Sequence, residues 1–236
     1  MGELYLIPCT IGSSPDAVIP SLVNLTVNQI DHYIVENVRS ARRFLSSIKI
    51  QTPIDNLTFY ELNKHTDPSE IPSFLSPAVN GKKMGLISEA GLPAVADPGG
   101  KIVALAHQKN IKVKPLTGPS SILLALMSSG FNGQNFSFLG YIPKERGDRI
   151  KFLKEAELLA LKKGISQIFM DTPFRNNNVL DDCLAHLSPK SFLHIAADIT
   201  LESEFLMTKT IGQWKNSKPN LKKRPAIFII GRPELL

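Results

Sequence analysis

The chain has 236 residues, 43% of them hydrophobic and 20% charged, which excludes disorder and allows one large domain or two small ones with a core each. A formal net charge of +6 suits a nucleic-acid partner and an ordinary basic surface alike, so charge selects neither. No apolar run nears the roughly 20 residues that cross a bilayer, the opening residues carry no basic-then-apolar leader, and two cysteines, Cys9 and Cys183, are too few for a disulfide framework; a cytoplasmic protein with no membrane partner is expected.

The run Leu4-Tyr5-Leu6-Ile7 stops at Pro8 and a Gly12-Ser13-Ser14-Pro15 loop, which predicts a buried strand closed by a tight turn. A second strand is predicted over 32–36 and a helix over 40–48, then a strand over 57–60 and a helix over 69–79. Met84 to Ser88 predicts a strand feeding a loop rich in Gly and Pro, followed by a helix over 101–109 and a strand over 111–114. This alternation argues for an α/β fold with a largely parallel sheet. Pro115 and Thr117-Gly118-Pro119-Ser120 mark a boundary near residue 116, dividing the chain into domains 1–116 and 117–236; Ser120 is placed to cap a helix over 121–128.

The second half predicts a strand over 136–141, a helix over 148–162, a strand over 167–170 and a helix over 177–187. Strands over 192–197, 204–210 and 225–230 follow with little helix between them, which predicts a partly antiparallel second sheet. The apolar runs 122–127 and 226–230 have the lengths of buried core segments.

The segment from Gly85 to Gly99 is the richest in chemistry: a buried strand runs into a loop with Glu89, Gly91, Pro93, Asp97, Pro98 and Gly99. Ligands in open α/β sheets sit beyond the carboxyl ends of strands, and glycines let backbone approach them closely. The competing reading is a plain connection in which Asp97-Pro98 is a helix N-cap and first-turn pair. The sequence has no G-x-G-x-x-G after its first strand, no P-loop, no H-E-x-x-H and no G-x-S-x-G elbow. Histidines 32, 65, 107, 186 and 194 lack metal-ligand spacing, so no metal is expected.

Several segments in order resemble the tetrapyrrole-methylase superfamily, and within it the branch that methylates ribose 2′-hydroxyls of small-subunit (16S) ribosomal RNA. They are Leu4 to Gly12, similar to an opening strand with a P-x-x-I-G-N loop, and Glu36-Asn37-Val38-Arg39-Ser40-Ala41-Arg42, similar to E-D-T-R-x-T-R. Ser88-Glu89-Ala90-Gly91-Leu92-Pro93 through Asp97-Pro98-Gly99 resembles S-D-A-G-x-P…S-D-P-G, and Thr117 to Ser121 with Ser129-Gly130 resembles P-G-P-S-A…S-G. Phe138 to Pro143 and Met170 to Arg175 are similar to F-x-G-F-x-P and Y-E-S-P-H-R. The chain departs from the pattern at Asn37 and Glu89, where the family has Asp, and at Asp198-Ile199-Thr200-Leu201, where it has R-E-L-T. The part from Lys222 to Ala226 is only loosely similar.

The resemblance implies two α/β domains with S-adenosyl-L-methionine in a cleft between them. It assigns Pro8 and Gly12 to one wall, Ser88, Glu89, Ala90, Gly91, Leu92 and Pro93 to the cofactor loop, and Ser120 and Ser121 to the hinge. Met170, Asp171, Ala197, Pro225 and Ala226 would complete the adenosine pocket. Glu36 and Glu89 are candidate bases for a poorly nucleophilic ribose hydroxyl, with Arg39 to place a phosphate. The alternative is that Glu36 and Arg39, three apart, pair with each other. The resemblance also implies a homodimer and a ribosomal RNA or small-subunit partner.

The basic run Lys144, Arg146, Arg149, Lys151 and Lys154, and the later Lys215, Lys218, Lys222, Lys223 and Arg224, suit RNA backbone and a solvated face equally. Trp214 is read as packing. Three functions stand: an rRNA 2′-O-methyltransferase, a methyltransferase acting on a tetrapyrrole or other small molecule, and a non-catalytic cofactor- or RNA-binding protein suggested by the lost carboxylate at Asn37.

Overall fold

The apolar runs of the first half become strands β1 (Glu3–Ile7), β2 (His32–Val35), β3 (Thr58–Glu61), β4 (Lys83–Ile87) and β5 (Lys112–Pro115). They form one parallel sheet of order β3-β2-β4-β1-β5 in a computed structural model that describes residues 2–233. Two units divide the chain, Met1–Ser120 and Ser121–Leu236. In the first, β1, β2 and β4 lie inside the sheet and are buried on both faces, so they read as continuous apolar runs; the edge strands β3 and β5 are half exposed.

The pleat sorts residues by parity. Tyr5, Ile7, Tyr33, Val35 and Ile87 face α2 (Ser21–Val27) and α3 (Val38–Ser47), whereas Leu4, Ile34, Met84 and Leu86 face α5 (Gly100–Gln108) and the segment 71–79. Gly85 belongs to the first group, and a Cβ there would lie 2.7 Å from Ile7 Cδ1 and from Tyr33 Cδ1, so the neighbouring strands leave no room for a side chain. Short α1 (Pro15–Val18) and α2, neither of which the sequence pattern suggested, carry the chain from β1 to β2.

The helix expected over 69–79 is instead a 3-10 turn, Ile71–Leu75, followed by one turn of α-helix, α4 (Ser76–Val79). Pro72 and Pro77 explain the break, since each removes a backbone donor and tolerates only a first-turn position.

In the second unit α6 (Ser121–Ser129), β6 (Phe136–Tyr141), α7 (Arg146–Lys163), β7 (Ser166–Met170) and α8 (Asn176–His186) precede β8 (Phe192–Ala197) and β9 (Phe205–Thr210). Helix α9 (Ile211–Asn216) and β10 (Ala226–Gly231) follow. The sheet order is β6-β7-β10-β8-β9; β6 and β7 are parallel and the remaining neighbours antiparallel, the mixed sheet the strand spacing predicts.

Leu153, Ala160, Leu180, Cys183, Ile211 and Trp214 pack with Phe169 and Phe228 into one core. Trp214 is fully buried and donates its indole N–H to Leu193 O at 2.9 Å, so it is a packing residue. Helix α9 starts at a capping box between Thr210 and Gln213 that sequence reading overlooked. The run 122–127 is not a wholly buried segment: Met127 is 78% exposed, and Ala125 and Leu126 carry its burial.

Candidate active-site loops

All strands of the first sheet point the same way, so their carboxyl ends share one edge. After β1 and β2 the chain turns to the face covered by α2 and α3; after β4 it turns to the opposite face, covered by α5. Strand β4 pairs with both β1 and β2, so the loops diverge on either side of it. Such a divergence opens the crevice in which parallel α/β sheets bind ligands.

The loops are tied to one another there. Cys9 N donates to Gly91 O at 2.8 Å, joining the Pro8–Gly12 loop to the Ser88–Gly99 loop. Gly91 has φ +69°, and a Cβ on it would come within 3.3 Å of Ile11 Cγ2. At Gly118, in the segment 116–120 after β5, a Cβ would lie 2.1 Å from Pro8 Cβ, so the crossing of that segment over the Pro8–Gly12 loop requires glycine. Within the β4 loop Asp97 accepts from Ala94 N at 2.9 Å and from Gly99 N at 2.7 Å, holding Ala94 and Ala96 at φ of 66° and 63°. Asp97 is therefore a clamp inside the loop rather than the helix cap; the N-cap of α5 is Gly99.

Glu36 ends β2, half buried, and its Oε2 accepts from Glu89 N at 3.4 Å. Glu89 is exposed and accepts from Ser40 Oγ at 3.2 Å. Burial lifts the Glu36 carboxyl above its ordinary value against the opposing pull of the Glu89 N–H, and the charges of Asp97 and Glu89 add to the rise. No ion pair joins Glu36 to Arg39 among the described residues; Arg39 is exposed on the first turn of α3. Asn37 caps α3 by accepting from Ser40 N at 3.1 Å, a task Asn and Asp perform equally well, so its departure from the family pattern has a structural account.

An open cleft of about 300 Å³ lies beside these groups, its lining including Cys9, Ser40, Arg43, Phe44, Ser88 and Glu89. Burial, followed by the Glu89 charge, pushes the Cys9 thiol up to about 12, so it does not ionise at neutral pH. Ser40 and Arg43 were given no role by the sequence reading, and Asp97, noted in this loop, was read in one alternative as the helix cap. The spacing of Ser40 and Arg43 on an amphipathic helix was visible, whereas the loop they face, 49 residues from Ser40, was not. Pro8 is buried and Gly12 exposed in the β1 loop, Leu92 and Pro93 line the turn after Gly91, and Ser120 ends the first unit.

In the second unit β10 pairs Ala226 with Ala197 and Ile227 with Met170, so Met170, Asp171, Ala197, Pro225 and Ala226 gather at one sheet edge. Asp171 is buried, ion-paired to Arg175 and bonded to Thr172 N at 2.6 Å through Oδ1, while its Oδ2 has no hydrogen-bond partner among the described residues. Asp198 accepts from Arg224 Nε at 2.7 Å and from Ser203 Oγ at 2.9 Å. Ser121 begins α6, away from this strand edge in sequence.

Several of the basic residues read as RNA contacts are engaged within the fold. Arg149 is buried and, with Arg146, holds Asp182; Lys218 pairs with Asp181. Lys144, Lys151, Lys154, Lys215, Lys222 and Lys223 remain exposed. Among the described residues no cluster of three or more His, Cys, Asp or Glu is arranged to hold a metal, and no helix is long and apolar enough to cross a membrane.

No family model matches the chain. It is 30% identical over 223 residues to the ribosomal RNA small subunit methyltransferase I of Thermotoga maritima, covering 93% of this chain and 95% of the relative. It is 28% identical over 210 residues to the protein of that name from Halalkalibacterium halodurans, covering 89% and 68%. Among solved structures it superposes on the methyltransferase CobJ with a TM-score of 0.66 at 14% identity, over 98% of this chain and 95% of that one. It superposes on a uroporphyrin-III-C-methyltransferase from Thermus thermophilus with a TM-score of 0.57 at 15% identity, over 98% and 94%. Those structural likenesses establish the tetrapyrrole-methylase fold, while the likeness to the Thermotoga protein, spanning nearly the full length of both, establishes the lineage: the chain is a methyltransferase of the ribosomal RNA small subunit methyltransferase I family.

Proposed function

We propose that this protein transfers a methyl group from S-adenosyl-L-methionine to the 2′-hydroxyl of a ribose in small-subunit ribosomal RNA. The observation that carries this reading is the likeness, over 89% and 93% of the chain, to proteins named ribosomal RNA small subunit methyltransferase I.

The residues suit such a donor. Gly91 brings backbone close without a Cβ, and Glu36, bonded to the Glu89 backbone N–H, and Glu89 both stand at this edge with no cation paired to either among the described residues. In the second unit Asp171, which the family resemblance assigns to the adenosine pocket, is buried with Oδ2 lacking a hydrogen-bond partner among the described residues. When bound, the cofactor supplies a methyl group on a positively charged sulfur. On this reading Pro8, Gly12, the loop Ser88–Pro93, Ser120, Ser121, Met170, Asp171, Ala197, Pro225 and Ala226 hold it, and Arg39 with one of the two candidate bases, Glu36 or Glu89, serves the acceptor. The chain's own contribution is to fix the acceptor in line and to receive its proton, since a neutral ribose hydroxyl attacks slowly.

The test is incorporation of labelled methyl from S-adenosyl-L-methionine into unmethylated small ribosomal subunits, followed by alkaline hydrolysis, which 2′-O-methylation blocks at the modified position. Protein that binds the cofactor by calorimetry yet labels no RNA or subunit refutes the reading, and transfer to a tetrapyrrole instead moves the acceptor to small molecules. The reading also carries a cytoplasmic location and a homodimer, the latter checked by sedimentation equilibrium.

A further inference from the structure

Helix α3 is amphipathic, with Ala41, Phe44 and Leu45 buried. Its outer face carries Arg39, Ser40, Arg42, Arg43, Ser46 and Ser47 and no acid. Arg42 is occupied elsewhere, 3.9 Å from Asp55 and stacked over the Phe59 ring. Arg39 and Arg43, four residues apart, stand above one another on the helix, and neither has an ion-pair partner among the described residues. Arg43 lines the 300 Å³ cleft together with Ser40 and Glu89. That volume falls at the small end of the range for small-molecule sites.

The two candidate bases stand in different surroundings. Glu89 is exposed, lines the cleft and accepts from Ser40, which lines it too. Glu36 does not line that cleft; it borders a crevice of about 10 Å³, too small for more than a water, among Leu62, Leu86, Pro93 and Asp97. Its recorded bond is to the backbone N–H of Glu89. The geometry of the pair is thus asymmetric: one carboxylate shapes the loop, and the other presents itself to a ligand.

From this we infer that the cleft along α3 receives the acceptor nucleotide, with Arg43 on a phosphate, Glu89 as the base at the ribose hydroxyl, Ser40 positioning Glu89, and Glu36 holding the loop. A ligand that engages both the Arg43 guanidinium and the Glu89 carboxylate in one small cleft can do so with an anion and a hydroxyl close together. A phosphodiester-linked ribose does so. In the step itself the Glu89 carboxylate takes the hydroxyl proton as the ribose oxygen bonds to the methyl carbon. The carbon–sulfur bond breaks with its electron pair left on sulfur, which becomes a neutral thioether, and Glu89 passes its proton to water.

This inference rests on the rRNA reading above, and its test separates the two. Binding of full-length protein to unmethylated small ribosomal subunits is measured without cofactor across a salt series, and turnover is measured with it. Arg43→Ala is expected to weaken binding about tenfold and to lower the slope of log K against log salt by about one, while Arg43→Lys keeps the slope. Glu89→Gln is expected to cut kcat by at least about 100-fold with binding within about twofold. Ser40→Ala lowers kcat and leaves KM unchanged, and Ser40→Thr, which keeps the hydroxyl, restores it; a merely structural serine would not divide the two constants in this way. Unchanged affinity and slope in Arg43→Ala, or turnover that survives Glu89→Gln and vanishes in Glu36→Gln, overturns the assignment. Failure of the wild-type protein to methylate subunits at all refutes the rRNA reading instead.

Discussion

The buried acids of the second unit and the acids at the carboxyl edge of the first sheet are treated in opposite ways. In the second unit the buried carboxylates each meet an arginine: Asp171 meets Arg175, Asp182 meets Arg146 and Arg149, and Asp198 meets Arg224. In the first, Glu36, Glu89 and Asp97 crowd the carboxyl edge of the parallel sheet with backbone and hydroxyl donors alone and no cation within ion-pair distance among the described residues. A buried charge with a partner is a fixed part of the framework. Of the three acids without one, Glu36 and Asp97 accept from backbone N–H groups of the loop, and Glu89, exposed, is the one a ligand can engage.

The largest effect expected from breaking this contrast is at Asp182. Burial works against its charge, yet hydrogen bonds from Arg149 and Arg146 outweigh that and hold the carboxyl below its ordinary value. Asp182→Ala strands the buried Arg149 and is expected to destabilise the protein by about 3–5 kcal/mol, read by chemical denaturation. A change below about 1 kcal/mol would remove the distinction between framework and functional acids.

Next comes the crossing of the first-unit loops. Gly118→Ala forces a methyl to within 2.1 Å of Pro8 Cβ. It should cost about 1–3 kcal/mol as overpacking and reduce cofactor affinity by calorimetry, because the displaced Pro8–Gly12 loop bears on Gly91. Asn37 is smaller still. Asn37→Ala should cost about 1 kcal/mol as a lost helix cap, whereas Asn37→Asp should leave stability and turnover within about twofold. A large gain in turnover from Asn37→Asp would show that the departure at this position had cost catalysis.

The smallest effect sharpens the contrast through pH. The Glu36 carboxyl is raised chiefly by burial, so the folded protein holds its proton more tightly than the unfolded chain does. Its contribution to stability is complete below the unfolded value and is lost as pH rises through the folded one. Glu36→Gln, which still accepts from Glu89 N, should therefore have a higher Tm than wild type at pH 7, with the margin closing as pH falls into the ordinary glutamate range. Equal Tm values across that window would place Glu36 in water rather than under the loop.

Much of the fold was legible because strand and helix are written locally. Apolar runs, continuous in the strands buried on both faces, located every strand of both sheets to within about two residues, and the glycine- and proline-rich loops marked the carboxyl edge of the first sheet. The failures were local as well as distant. Pro72 and Pro77 outvoted the apolar pattern over 69–79, and the capping box at Thr210 was present in the sequence but unread. Asp97 looked like a helix cap because Asp-Pro before a helix usually is one, and the structure turned it inward to hold Ala94 and Gly99.

What the residues by themselves determined was the set of chemical groups available: loops with glycines, two glutamates at candidate positions, an arginine-rich helix and the family motifs in order. Which carboxylate faces a ligand, which arginines are spent on Asp182 and Asp198, and that Ser40 meets Glu89 were decided only when the chain closed. These partners lie between 26 and 49 residues apart, and the topology of the two units brings such segments together rather than any pattern of neighbouring residues.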